Sequence, residues 1–163
     1  MSKIGIINCG MGNLTSVRNS FISIGLDCDL VDDANKISGY EKLVLPGVGA
    51  FHSMVKQLNE KQFSIEIKNH IKSGKPFLGI CLGMQVLFDS SSEFEETPGL
   101  LILKGKVRLL PNGHQPVPNV GWWGLKGNYG LFSKEISDSD TFYFVHSYFC
   151  KPTEDYDTLT IEF

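Results

Sequence analysis

Apolar runs and segments with helical spacing alternate along the first half of the chain. Residues 3–8 and 42–45 are apolar runs that predict buried strands, and residues 27–31 predict a shorter strand between them. Residues 14–24 and 51–72 carry apolar side chains at helical spacing. These helical positions are Leu14, Val17, Phe21 and Ile24, then Met54, Leu58, Ile65, Ile67 and Ile71. The alternation predicts an α/β fold, with a doubly wound and mostly parallel sheet.

The second half of the chain changes to a β pattern. Residues 104–110 alternate enough to predict an antiparallel strand, and residues 142–149 form a run of strong strand formers. Residues 131–132 are a short apolar pair, and residues 158–163 end the chain in another strand pattern. Residues 89–96 are polar and acidic, which predicts a solvated loop. We therefore expect an antiparallel extension of the parallel sheet.

Residues 75–88 are the most informative stretch. A Gly-Lys-Pro breaker leads into a short apolar strand, and residues 84–88 predict the start of an apolar helix. Between strand and helix lies Gly79-x-Cys81-x-Gly83, a cysteine form of the nucleophile elbow. Small residues two positions before and after the nucleophile let the neighbouring strand and helix approach the turn. The motif predicts a sulfur that stands clear of the sheet.

The elbow also predicts an electrostatic setting for its thiol. The amide of Leu82 would be free at a helix N-terminus, where it favours a thiolate and can donate to a developing oxyanion. The plain alternative is that Cys81 is a buried, inert cysteine. The motif alone leaves both interpretations open.

Two glycine-rich loops follow predicted strands. Residues 9–13 form either a tight first turn or a phosphate cradle. After the third strand, Gly47 and Gly49 allow the backbone to approach a ligand or to adopt positive φ. This second loop is either an ordinary turn or an oxyanion strand, in which amides near Val48 act together with Leu82.

Composition narrows the class of protein. The 163 residues are 42% hydrophobic and 20% charged with a net charge of −3, which suits one globular domain and excludes a disordered chain. The charge indicates neither a nucleic-acid nor a membrane partner, and no apolar run is long enough to span a bilayer. We expect a cytoplasmic protein with free thiols and without a metal or a cofactor. The cysteines are Cys9, Cys28, Cys81 and Cys150.

Residues 77–85 resemble the nucleophile strand, turn and helix of class I (triad-type) glutamine amidotransferases. The resemblance implies that fold, a flavodoxin-like α/β sheet, and a glutaminase activity in which Cys81 attacks the glutamine carboxamide. It also implies that Gln85 holds the substrate and that the loop 46–51, with Gly47, Val48 and Gly49, supplies the oxyanion strand.

Three further segments resemble one subfamily, the glutaminase subunits of imidazole glycerol phosphate synthase: residues 8–14, 116–123 and 143–148. In that resemblance His146, Ser147 and Tyr148 line the glutamine pocket. Asn13, Trp122 and Trp123 would face the partner, a (β/α)8-barrel cyclase/synthase subunit that receives ammonia through a channel in histidine biosynthesis. The subfamily usually has histidine where Asn119 stands. A similar glutaminase serving a cyclase-like partner in sugar or surface-saccharide amination stays open.

One part of the resemblance has no counterpart. The family supplies its general base and the carboxylate that orients it from a His-Pro-Glu segment, and no His-x-Glu occurs in this sequence. His146 could be a base by residue type, but the resemblance places it in the pocket instead. His52 and His70 fall in no motif and are predicted at surface or boundary positions.

We therefore expect a single amidotransferase domain over 1–163, incomplete at its C-terminus, with little or no activity by itself. The alternative from another class is a catalytically silent interaction subunit that binds the synthase. A cysteine-elbow hydrolase or chaperone would share only the elbow, and it would not explain Gln85 or the run around His146.

Overall fold

A parallel four-stranded sheet forms the centre of the first half of the chain. The computed structural model describes residues 3–111, 113, 116–127, 135–137, 139–156 and 159–161. The strands follow the order β2-β1-β3-β4 and all pair in parallel, which confirms the predicted α/β fold and parallel sheet. Their bounds are β1 Ile4–Ile7, β2 Cys28–Val31, β3 Lys42–Gly47 and β4 Phe77–Cys81.

Helices connect these strands. Their bounds are α1 Leu14–Ser23, a 3₁₀ helix Ala34–Gly39, α2 Phe51–Glu60, α3 Phe63–Lys72 and α4 Leu82–Gln85. The single helix predicted over 51–72 is divided in two, because Gln62 adopts a left-handed backbone with φ of 62°. The break lets both α2 and α3 bury apolar faces, which include the fully buried Phe51 and Phe63.

The second half of the chain forms smaller sheets. A four-stranded sheet has the order β11-β7-β5-β6, and two ribbons pair β10 with β8 and β12 with β9. These pairings are antiparallel except for β5 with β7, as expected for an antiparallel extension. The bounds are β5 Phe88–Ser91, β6 Thr97–Pro98, β7 Leu103–Leu109, β8 Asn119–Gly124, β9 Lys126–Gly127, β10 Thr141–His146, β11 Tyr148–Pro152 and β12 Leu159–Thr160.

Three sequence-based element predictions were wrong. The helix predicted from 84–88 ends at Gln85, and the supposed solvated loop begins with strand β5. Ser90 and Ser91 are buried there because β5 pairs with both β6 and β7, and the Ser90 hydroxyl donates to Glu96 at 2.7 Å. The strand predicted over 142–149 is broken at Ser147, and the pair 131–132 lies outside the described residues. Within the described ranges, no helix has the length and apolar character needed to cross a membrane.

His70 is buried, contrary to the predicted surface or boundary position. Its side chain lies at the end of α3, and its Nε2 donates to the Pro76 carbonyl oxygen at 3.1 Å. Its Nδ1 is buried, and it has no hydrogen-bond partner among the described residues. Burial lowers the pKa of His70 below its ordinary value of 6.5, although the bond to Pro76 partly opposes that effect.

Acid should therefore destabilise the protein through His70. The unfolded chain takes up a proton at a higher pH than the folded one, so this contribution to stability is complete above about pH 6.5 and is lost as the pH falls below it. His70→Gln keeps a donor for the Pro76 carbonyl but cannot titrate, so the free energy of unfolding should fall less with acid in this variant than in the wild type. Urea unfolding at about pH 7.5 and pH 5.5 measures it. If the free energy of unfolding falls by the same amount between the two pH values in both proteins, the prediction is contradicted.

Candidate active site

Cys81 lies at the strained turn from β4 into α4. Its φ is 55° and its ψ is −117°, in a region that residues with side chains rarely adopt, and the residue is exposed. The fully buried, inert cysteine of the plain alternative is therefore not what the structure contains. Leu82, immediately after it, is buried as the first residue of α4, so its amide belongs to the free donors of a helix N-terminus.

Glycines allow this turn to pack tightly. A Cβ added at Gly79 would lie 2.6 Å from the Gly83 carbonyl oxygen, closer than real Cβ atoms come. A Cβ at Gly83 would overlap the carbonyl oxygen of Leu45 in β3. A Cβ added at Gly47 would lie 2.7 Å from the Gly83 nitrogen. The elbow and the adjacent strand end are thus in backbone-to-backbone contact.

The loop after β3 lies beside the nucleophile. Gly47 pairs with Cys81 in the β3–β4 register, and Gly49 has φ of 104°, which glycine adopts without strain. Val48 between them is exposed. The first turn supports this loop, because a Cβ on Gly49 would come within 3.0 Å of the Met11 methyl group. This arrangement suits an oxyanion strand, a role that stays a prediction.

Glu93 is a functional candidate that the sequence reasoning missed. Its carboxylate accepts a hydrogen bond of 2.7 Å from the Phe51 amide, directly after the glycine loop. A carboxylate at the N-terminus of α2 accepts from a free backbone donor and interacts favourably with the helix dipole. The only sequence signal was an acidic residue in a stretch predicted as a solvated loop, so the spacing gave no reason to select it.

Gln85 and Tyr148 are brought together from distant parts of the chain. The Gln85 Nε2 donates to the backbone carbonyl oxygen of Tyr148 at 3.2 Å. Ser147 joins β10 to β11, and its carbonyl accepts from the Leu110 amide at 2.8 Å. The structure therefore places the 147–148 segment beside α4, and the role of these residues in a glutamine pocket stays a prediction.

His146 uses both ring nitrogens on neighbours other than Cys81. Its Nδ1 lies 3.0 Å from the Tyr148 carbonyl oxygen, and its Nε2 lies 3.0 Å from Nδ2 of Asn119. A general base must reach the proton that it removes. Both ring nitrogens are thus engaged by neighbours other than Cys81, and the expectation that His146 is not the base stays a prediction.

Cys150, the cysteine near Cys81, is poorly reactive because it stays in its thiol form. Burial, and then the charge of Cys81, raise the pKa of the Cys150 thiol to about 12. Burial also raises the pKa of Cys9 and of Cys28. Because thiolate is the reactive form, Cys81 is the exposed thiol best placed for nucleophilic chemistry. Within the described ranges, no group of three or more His, Cys, Asp or Glu side chains is arranged to hold a metal ion.

The predicted interface residues have different surroundings. Trp122 is 68% exposed on β8, and its ring lies 5.5 Å from that of Tyr143 on β10. Trp123 is half-buried and donates to the Asn119 side chain at 2.9 Å. Asn13 accepts from the Ser16 amide at 3.1 Å as the N-cap of α1. Trp122 and Asn13 are thus exposed, whereas Trp123 is half-buried.

An exposed cysteine on a glycine-flanked elbow, at the end of a strand in a parallel sheet, defines the class: an α/β protein with a cysteine nucleophile elbow. A family model, glutamine amidotransferase class-I, matches residues 5–162. The chain belongs to this family.

Curated relatives agree with that assignment. The chain is 48% identical over 152 residues to the imidazole glycerol phosphate synthase subunit HisH of Caldanaerobacter subterraneus subsp. tengcongensis, with 93% of this chain and 74% of that protein covered. It is 43% identical to the subunit HisH of Aquifex aeolicus, with 95% and 75% covered. For the subunit HisH of Geobacter metallireducens, the identity is 40%, with 95% and 77% covered.

Solved structures support the fold. PurLQS from Thermotoga maritima superposes with a TM-score of 0.72 at 17% identity, covering 99% of this chain and 75% of that one. A glutamine amidotransferase crystal structure gives 0.66 at 18% identity, with 88% and 70% covered.

Proposed function

We propose that this chain is the glutaminase subunit of an imidazole glycerol phosphate synthase, a cytoplasmic complex of histidine biosynthesis. The observation that carries the proposal is the exposed Cys81 on its strained elbow, beside the glycine loop. The similarity to the subunits HisH selects the pathway among glutamine amidotransferases.

The chemistry follows from the thiol. The Cys81 thiolate attacks the side-chain amide carbon of glutamine, and the amides of Leu82 and Val48 donate to the oxyanion of the tetrahedral intermediate. The nitrogen takes up the proton that the Cys81 thiol lost, the carbon–nitrogen bond breaks, and ammonia leaves a γ-glutamyl thioester on Cys81. Water then attacks the thioester, and the carbon–sulfur bond breaks to return the thiol. One glutamine and one water thus give one glutamate and one ammonia.

The substrate would be held between α4 and the 147–148 segment. Gln85 is oriented by its bond to the Tyr148 carbonyl, and Ser147 lies next to Tyr148 between β10 and β11. Glu93 lies at the start of α2, where its carboxylate can attract the α-ammonium group of glutamine. His146 contributes by holding the Tyr148 carbonyl.

The partner would dock on the β8–β10 ribbon. Its outer face carries exposed Val120, Trp122, Tyr143 and Val145. Aromatic residues that stay exposed in a free subunit are typical anchors of protein interfaces. We assign to this face a (β/α)8-barrel cyclase subunit, with Trp122 and the partly buried Trp123 at the contact, and we propose Asn13 of the first turn as a further contact residue.

One assay tests the proposal. The full chain is mixed with the cyclase subunit of the same organism, and both glutamate and imidazole glycerol phosphate are measured. We expect the cyclase to need this chain when glutamine is the nitrogen source and to work without it when ammonium salt is supplied. Glutamate release without imidazole glycerol phosphate, and only with a cyclase-like partner of sugar amination, would transfer the chain to that pathway.

A catalytically silent interaction subunit is the second candidate. The observation in its favour is that, among the described residues, no imidazole is hydrogen-bonded to Cys81. Such a subunit would bind the cyclase but release no glutamate above the level of a Cys81→Ala variant. Pull-down with the cyclase, run beside the glutamate assay, separates the two candidates.

A further inference from the structure

A fully buried asparagine joins two aromatic rings beside the proposed glutamine pocket. Asn119 has no solvent exposure, and it stands directly opposite His146 in the β8–β10 pair. Its Oδ1 accepts a hydrogen bond of 2.9 Å from the Trp123 Nε1, and its Nδ2 lies 3.0 Å from the His146 Nε2. Both polar ends of this buried amide therefore have partners.

The indole fixes the direction of the whole network. An indole nitrogen can only donate, so the amide atom that faces Trp123 must be the oxygen. The Asn119 nitrogen then faces His146, and because it too can only donate, the His146 Nε2 must accept. An imidazole that accepts at Nε2 and stays neutral carries its proton at Nδ1. That proton points at the Tyr148 carbonyl oxygen, 3.0 Å away.

The network ends on the elbow helix. The Tyr148 carbonyl oxygen has two lone pairs, and it accepts from the Gln85 Nε2 at 3.2 Å as well as from His146. With its nitrogen held there, Gln85 turns its Oε1 away from Tyr148. Gln85 is the last residue of α4, one helical turn after Cys81.

We propose that Asn119 is a positioning residue that sets the Nδ1–H tautomer of His146 and, through the Tyr148 carbonyl, the orientation of the Gln85 amide. It acts through other residues and contacts no reacting atom. Its effect on glutamine binding rests on the proposed function, whereas its effect on the tautomer and on Gln85 does not. A purely structural role would stabilise the β8–β10 ribbon without changing either.

The tautomer is measured directly by long-range ¹H–¹⁵N correlation of the histidine rings at about pH 8, where ordinary histidine is neutral. The ring signals of His146 are those that disappear from the spectrum of His146→Gln. We expect the wild-type proton on Nδ1, although free histidine in water favours Nε2. A wild-type proton on Nε2 would overturn the proposal.

Variants of the network then test cause and effect. Asn119→Asp keeps an acceptor for Trp123 but offers only oxygen to His146, so a proton should appear on Nε2. Trp123→Phe should give a mixture of the two His146 tautomers, because the Asn119 amide can then rotate, whereas Trp122→Phe on the exposed side should leave the tautomer as in the wild type. Circular dichroism confirms folding, and Asn119→Leu provides a second variant that lacks both bonds. An Nε2 that stays unprotonated in both folded Asn119→Asp and folded Asn119→Leu, as in the wild type, would refute the proposal.

The link to Gln85 has its own readouts. Hydrogen exchange of the Gln85 side-chain amide should quicken about tenfold in Asn119→Asp, the equivalent of losing one hydrogen bond. In the full complex, KM for glutamine should rise by a similar factor, with little change in alkylation of Cys81 by iodoacetamide. Unchanged exchange at Gln85 would refute the link, even in a protein that hydrolyses glutamine. A wild-type protein without glutaminase activity would remove the proposed function and leave the exchange result standing.

Discussion

Cys81→Ala should abolish glutamate release by the full chain in complex with its cyclase. We expect the rate of glutamate release to fall at least about 10³-fold. Catalytic residues act as a unit, so loss of the nucleophile removes nearly all of their combined contribution. Binding of the cyclase should be unchanged, because the elbow and the exposed Trp122 face lie on different elements. The measurement is glutamate released at saturating glutamine.

Cys28→Ala is the matched control for this loss. Cys28 is also a free cysteine, but it is buried in β2, and its substitution should keep activity within about threefold of the wild type. If Cys81→Ala and the wild type release glutamate at the same rate, the thiol is not the nucleophile and the proposed function fails.

Gly83→Ala should be among the most destabilising substitutions of a single glycine. The added Cβ would overlap the Leu45 carbonyl oxygen, far inside the 3.0 Å that real Cβ atoms keep from backbone. Neither β3 nor α4 can move aside without disrupting the parallel sheet, so we expect the free energy of unfolding to fall by about 3–5 kcal/mol. Urea unfolding followed by circular dichroism measures the change.

Gly39→Ala separates steric overlap from the general effect of losing a glycine. A Cβ at Gly39 would meet nothing within 4 Å, and Gly39 also lies in a short helix. We expect a change of no more than about 1 kcal/mol there. Similar losses in the two variants would mean that close backbone contact at the elbow is not what requires Gly83.

Local patterns predicted the parallel sheet and the elbow. The strands β1, β3 and β4 are apolar on their own, and Gly79, Cys81 and Gly83 act within five consecutive positions, so the sequence carries that information directly. The break at Gln62 and the strand β5 were not predictable in this way. Gln62 adopts positive φ although its residue type disfavours it, and β5 consists of mixed residues that become buried only through pairing with β7.

The candidate site shows the same difference between residues in local motifs and contacts that depend on the fold. Cys81, Gln85 and the glycine loop come from short motifs, whereas the bond from Gln85 to Tyr148 joins residues 63 positions apart. Glu93 reaches the Phe51 amide across 42 positions, and Asn119 reaches His146 across 27. No periodicity records such contacts, so the positioning network became visible only when the fold had brought these side chains together.

The unequal accessibility of the four thiols has a practical consequence. Cys9 and Cys28 are buried, and Cys150 is held in its neutral form near neutral pH by its high pKa, while Cys81 is exposed. A maleimide dye would therefore attach at a single place in the native protein without any engineered cysteine. Protection of that place from the dye would report ligand occupancy as a change in fluorescence.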